Sequence, residues 1–334
     1  GLLGVSVYLF SSTGLWLPLV GFLVFQLPAA LVGSLLWRYS VAQRERQQIR
    51  KAFSYFVPEP ALEELIHDLR PSDTPGRLVY AVCLATDAER YTDLAERMDP
   101  SALRELLNRY FQLLFTPVRR HGGTISDAVG DSMLAIWATT SPPQMLHQKA
   151  SRAAVEILEA VAAFNAANPE TRLPTRIGVH GGEIALGHVG AQDHFEYRPV
   201  GDIVNATSRL EGLCKHLGTY ALASEEVAAG LEGIVTRSLG QFRMVGKQRA
   251  IGVRELLGSS DRVDAARQAQ LPVFARALEQ FRAGRFTQSA AEFRVIRERF
   301  PEDRPSHFFL ELSELYARTP PGAGWDGVVL IHAK

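Results

Sequence analysis

Residues 78–85 (LVYAVCLA) form an uninterrupted apolar run, the pattern of a central β-strand covered on both faces. Asp87 follows at once, so a carboxylate is expected at the strand's end. Asp99-Pro100 pairs an N-cap residue with a first-turn proline, and SALRELLNRYFQLLFTPVRRHGG keeps helical periodicity up to Gly122-Gly123. Short strands are predicted at 124–129 and 132–137, with Gly130-Asp131 as the hairpin tip, which places a second carboxylate at a turn. An alanine-rich helix at 148–167, strands at 176–180 and 184–189, a helix at 203–217 and a strand near 220–223 complete the pattern. The order βαββαβ, with extra strands, predicts an α+β domain of ferredoxin-like type over residues 75–258, its sheet carrying helices on one face.

Both ends of the chain depart from this alternation. No charged residue precedes Arg38; residues 1–10 read as the tail of one hydrophobic span and 14–37 as a second, long enough to cross a bilayer, with a buried soluble hairpin as the alternative. The opening Gly-Leu-Leu-Gly suits a fragment that starts inside a membrane region better than a signal peptide. Arg38, Arg44, Arg46, Arg50 and Lys51 follow, and Trp16, Trp37 and Tyr39 suit the interfaces. These basic residues predict an inner-membrane protein with everything after Arg38 in the cytoplasm. Residues 38–74 mix polar helix-formers, aromatics and two prolines without a sustained heptad, as a connector would. Residues 262–334 pair two amphipathic helices around Gly284, then add a helix at 307–317. Ala277, Phe281, Gly284, Phe286, Ala290 and Pro301 suit one tetratricopeptide-like (TPR-like) unit, a docking place for a protein partner; a plain helical tail is the alternative.

Lysine plus arginine (36) balance aspartate plus glutamate (36) over 334 residues, so no basic field points to nucleic acid. Cys83 and Cys214, the only cysteines, lack ligand-like spacing and read as free thiols.

Asp87 and Asp131 are hard oxygen donors suited to divalent metals. Asn205 and Arg209, four apart in VGDIVNATSRLEG, share a helix face, where an amide and a guanidinium can grip a polyphosphate transition state. Singly, the aspartates are also ordinary turn residues, and Arg209 an ordinary solvated neighbour of Glu211. Together they describe a nucleotide enzyme. His180 and His188 lack a spaced ligand set and read as packed or solvent-facing.

Four segments in order, DAERYT, HGGTISDAVGDSMLAIW, RIGVHGGEIALGHVG and VGDIVNATSRLEG, resemble the catalytic domain of class III nucleotidyl cyclases, the adenylate and guanylate cyclases, over about residues 78–257. With the spans, connector and tail, the chain resembles bacterial membrane cyclases, in which a periplasmic sensor would precede residue 1. The resemblance implies attack of the ribose 3′-oxygen on the α-phosphate, loss of pyrophosphate, and two divalent metal ions, Mg²⁺ or Mn²⁺. Asp87 and Asp131 would bridge both ions, with the Ala88 carbonyl on the second. Thr92 and the amides of Glu89, Arg90, Tyr91 and Thr92 would cradle the β- and γ-phosphates. Asn205 would orient the ribose and Arg209 meet charge on the α-phosphate. Lys247 would grip phosphate from MVGKQRA, a turn in which Val245 replaces a first lysine. In this family the metal carboxylates and the Asn/Arg pair of one site come from different subunits, which implies a head-to-tail homodimer.

Asp127 and Arg198 occupy the family's base-reading places. Typical adenylate cyclases carry lysine at the first and aspartate or threonine at the second, so the charges are exchanged here, and the pair complements either purine edge. Guanylate cyclases carry an acidic residue at the first place. The alternative is an Asp127–Arg198 salt bridge across the dimer interface. Arg90 and Tyr91 replace the family's glycine and phenylalanine. Conversion of ATP to cyclic AMP is the expected activity; GTP to cyclic GMP and a catalytically silent signalling module are the other readings.

Overall fold

The computed structural model describes residues 2–14, 25–53, 77–138, 141–191, 194–244, 249–322 and 324–331. The chain divides into two units, Gly1–Leu69 and Arg70–Lys334. The first holds helices α1 (Leu2–Thr13) and α2 (Leu27–Phe53). The expected transmembrane helices are corrected here: among the described residues no helix is long and apolar enough to cross a membrane. α1 has 12 residues, about 18 Å at about 1.5 Å each, against a hydrocarbon core of ~30 Å. The apolar part of α2 ends at Arg38, so residues 27–37 reach only about 16 Å. Residues 15–24 of the expected span, and 54–76 of the connector, lie outside the described residues. The cytoplasmic placement was argued from that span and loses its footing with it.

The second unit opens with β1 (Arg77–Ala88), α3 (Tyr91–Arg97), α4 (Pro100–Arg120), β2 (Thr124–Val129), β3 (Ser132–Trp137), α5 (Pro143–Ala167) and β4 (Thr175–Ala191). Then come β5 (His194–Val200), α6 (Asp202–Leu217), β6 (Ala221–Ser224), α7 (Glu225–Ala228), β7 (Ile234–Arg243) and β8 (Ile251–Ser259). The sheet runs β2-β3-β1-β4-β6-β8-β7-β9, where β9 is Val328–Leu330, with β5 paired to β4, so the βαββαβ core occupies one side of a wider sheet. The Asp99 carboxylate caps α4, accepting from the amides of Ser101 at 2.9 Å and Ala102 at 3.3 Å. β4 is one strand where two were expected, because β1 pairs with it along its whole length and carries the ladder through Gly181-Gly182. Those glycines give room: a Cβ on Gly181 would meet the Tyr80 hydroxyl at 2.6 Å, and one on Gly182 would meet Ile203 at 2.6 Å.

Helices cover both faces rather than one. Val82 and Leu84 of β1 share a core with Leu106 and Tyr110 of α4 and Ile157 of α5. Ala81 and Cys83 point the other way, towards Ile203 of α6. A third core joins the far half of α6 to the C-terminal segment α8 (Ala265–Arg282), α9 (Phe286–Arg299), α10 (Arg304–Arg318) and β9 (Val328–Leu330). The aromatic face that a TPR-like unit would offer a partner is thus turned inward, against the sheet. Both cysteines are buried thiols.

Candidate active site

Asp87 lies near the end of β1, opposite Arg176 in the β1–β4 register. Its carboxylate accepts hydrogen bonds from Ser132 Oγ at 3.1 Å and from the Arg176 guanidinium at 2.5 Å. Asp131, at the β2–β3 tip, accepts from the Ala88 amide at 2.9 Å, so the hairpin folds the second carboxylate against the strand that carries the first. Burial, followed by the charge of Asp87, raises the Asp131 pKa above the usual carboxylate range, while the Ala88 amide opposes the rise.

Arg176 also meets Glu211 of α6 at 2.9 Å and Glu89 at 3.6 Å. Against the cost of burial, Asp87 and Glu211 hold its guanidinium pKa above the usual value. Glu211 is pushed up to about 7, first by burial and then by the charge of Asp87, with Arg176 acting the other way. Three carboxylates therefore meet one guanidinium, with Asp131 folded against the same strand end, an excess of negative oxygen that a divalent cation would relieve. Sequence reasoning missed Arg176 and Glu211, although both lie inside the quoted segments; what brings them to Asp87 is a strand register that no local pattern displays.

The first loop is less open than expected. The Glu89 amide already donates to the Pro174 carbonyl at 2.7 Å and is lost to any phosphate cradle. Arg90 stands at φ 68, the left-handed region that favours glycine, and caps α3 without a side-chain hydrogen bond. Tyr91 and Thr92 open α3, ahead of its first backbone bond, Leu94 N to Arg90 O at 3.0 Å, so their amides have no partner within the helix.

Asn205 and Arg209 lie one turn apart on the exposed face of α6, and neither side chain pairs with another described residue of this chain. The helix sits tight on β4: a Cβ on Gly178 would meet the Thr207 carbonyl at 2.4 Å and the Glu211 amide at 2.5 Å. Glu211 is the α6 residue turned towards Asp87, through Arg176. Two helical positions earlier, Arg209 lies about 200° around the axis. Within one chain, the Asn205–Arg209 pair therefore points away from the metal carboxylates.

Asp127 of β2 and Arg198 of β5 form an ion pair within one chain. Lys247 and Val245 fall in 245–248, outside the described residues, as does the side chain of His188; His180 is partly buried. Among the described residues, no group of three or more His, Cys, Asp or Glu is arranged to hold a metal ion.

A family model described as "Adenylate and Guanylate cyclase catalytic domain" matches residues 80–253, just over half of the chain. Adenylate cyclase 1 of Rhizobium meliloti (strain 1021) is 32% identical over 210 residues, 62% of this chain and 32% of that protein. A solved bacterial light-regulated adenylyl cyclase superposes with a TM-score of 0.56 at 22% identity, covering 70% of this chain and 67% of that one. The adenylyl cyclase CyaB from P. aeruginosa gives 0.51 at 22% identity, covering 57% and 100%. At such identities the structures show the fold. The chain spans between 13% and 36% of the length of the first curated relatives it matches.

Proposed function

The chain belongs to the adenylate and guanylate cyclase catalytic-domain family, and on that premise we propose that it is an adenylate cyclase, converting ATP to 3′,5′-cyclic AMP and pyrophosphate at sites shared by two copies. The observation that carries the shared site is the roughly half-turn of α6 between Glu211, which faces Asp87, and Arg209, which with Asn205 pairs with no other described residue. A lone chain turns its two sets of chemistry apart; a second copy, packed head to tail, brings the Asn205–Arg209 face of one to the carboxylates of the other.

Two divalent ions, Mg²⁺ or Mn²⁺, fit the all-oxygen donors: Asp87, Asp131 and the Ala88 carbonyl would hold them, with substrate oxygens completing their shells. Bound there, they would acidify the ribose hydroxyl and neutralise the leaving phosphates. Asn205 would orient the ribose and Arg209 would meet the charge growing on the α-phosphate. Tyr91 and Thr92 keep amides for the outer phosphates, and Lys247 would add a charge. Arg176 would balance the charge of the crowded carboxylates. Adenine is preferred because the named relatives are adenylate cyclases. The Asp127–Arg198 pair supports GTP as the second reading, since it offers an acceptor and donors that also complement guanine.

The test supplies ATP or GTP with Mn²⁺ to the chain and identifies the cyclic product. Asp87→Ala and Arg209→Ala are each expected to lose about 10²-fold or more of the activity. Mixed, they should recover roughly a quarter of it, because half the dimers then carry one intact site out of two. Absence of recovery in verified mixed dimers ends the shared-site reading, and absence of product from either nucleotide ends the enzyme reading.

A further inference from the structure

We propose that the C-terminal segment, α8 to β9, positions Asn205 and Arg209 by clamping the far end of α6 and the end of β7; this rests on the cyclase reading. α6 has two footings. Its first half lies on β4 at Gly178, and its second half sends Leu210, Leu213 and Leu217 into a core shared with Phe274, Phe281 and Phe309 of the C-terminal segment. The joint is tight. α6 ends at Gly218, φ 67, and the stem of Arg304, the first residue of α10, leans on it so closely that a Cβ on Gly218 would meet the Arg304 Cβ at 2.4 Å.

α10 is itself pinned to the sheet. Asp303, just before Arg304 and only 1% exposed, accepts two hydrogen bonds from Arg237 of β7, at 2.8 and 3.0 Å, and meets Arg267 of α8 at 3.3 Å. Arg237 also pairs with Glu255 of β8 and lies 4.4 Å from the centre of the Phe274 ring. β9 then runs parallel to β7, matching Phe242 with Val329 and Arg243 with Leu330, and the Ile331 amide donates to the Arg243 carbonyl at 3.1 Å. That seals the strand just before 245–248, the segment that includes Lys247.

The metal side meets α6 through Glu211, which reaches Asp87 by way of Arg176. The core beneath Asp87 and Asp131 contains no residue beyond Leu256 among those described. Because α6 is a stiff rod, a shift at Gly218 moves Asn205 and Arg209 with it. Gly218, Arg304 and Asp303 are thus positioning residues for chemistry done elsewhere on the helix.

The test uses the full chain. Gly218→Ala drives a methyl into the Arg304 stem, and kcat with ATP and Mn²⁺ should fall about tenfold or more, while Mn²⁺ affinity, read by electron paramagnetic resonance of the free ion, holds. Arg304→Gly in the same chain removes the collision but not the cost of an L-residue at φ 67, and should return part of that loss. Hydrogen exchange should quicken over 203–217 in the single variant and stay unchanged over 78–88. An unchanged kcat, a parallel fall in Mn²⁺ affinity, or no recovery on adding Arg304→Gly each overturns the proposal. If Gly218→Ala yields no folded protein, Phe309→Leu, which only thins the shared core, is judged by the same separation of kcat from Mn²⁺ affinity. A wild-type chain that forms no cyclic nucleotide defeats the cyclase reading instead.

Discussion

The metal side and the helix side of the site are built on opposite plans. Asp87 and Asp131 are half-buried and already engaged, with Ser132, Arg176 and the Ala88 amide, in a cluster that carries too much negative charge for its single guanidinium. Asn205 and Arg209 are exposed and pair with no other described residue, on a helix whose rear half is anchored in an aromatic core. On the proposed reading, one side would be completed by cations and the other by a second chain. Precision on the first comes from a crowded charge network, and on the second from the rigidity of what stands behind the helix.

The largest expected effect strikes the anchoring of the helix side. Arg237→Met keeps much of the side-chain volume but leaves Asp303 buried with Arg267 and the Ser306 hydroxyl as its remaining partners. Stripping one partner from a buried ion pair of this kind costs about 3–5 kcal/mol. Urea unfolding of the full chain should register that loss. A loss below about 1 kcal/mol, the scale of an exposed pair, would mean that the C-terminal segment is held by apolar packing alone, and half of the contrast would go.

The two sides should also answer pH in opposite senses. Against the upward push of burial, Arg237 holds Asp303 below the usual carboxylate range. Its contribution to stability is present above the unfolded-state pKa and is lost as pH falls through the lowered one. Glu211 is raised from 4.5 to about 7, so its contribution is present below 4.5 and is lost as pH rises through about 7. Ionising Glu211 therefore costs metal-free protein on the order of 3 kcal/mol. With chelator present, Glu211→Gln should flatten the decline in stability between pH 5 and 8 and leave the acid limb intact. A decline that persists in the variant would show that Glu211 is not the group that makes the metal side uncomfortable without cations.

What the sequence displays divides along the same line. Strands 124–129 and 132–137, the Asp99 cap and the exposed i, i+4 pair on α6 are local signals, and each is where alternation, capping and periodicity place it. Arg176 and Glu211 were invisible because they reach Asp87 only through registers that join β1 to β4 and β4 to α6. The C-terminal helices were legible as helices, but their docking was not: periodicity marks an apolar face without naming its partner, and a three-residue edge strand such as β9 leaves no pattern. The glycines around β4 were ambiguous for a related reason. They read as a break between strands, yet they are sites where a neighbouring helix and side chain approach too closely for any Cβ.

Arg90 offers the smallest and most local test. Its replacement of the family's glycine was visible in the sequence, but only the structure gives the reason glycine suits the place: φ 68, which L-residues adopt at a cost of roughly 1–2 kcal/mol. Arg90→Gly should stabilise the chain by about 1 kcal/mol once the extra freedom of glycine in the unfolded chain is set against that relief. Arg90→Ala is the control, since it removes the guanidinium and keeps the Cβ; an equal gain there would assign the strain to side-chain crowding instead of backbone. Because Arg90 belongs to the metal side, the relief should leave hydrogen exchange over 203–217 unaltered. An effect that spread into α6 would show that the two sides are coupled within one chain more tightly than their separate cores allow.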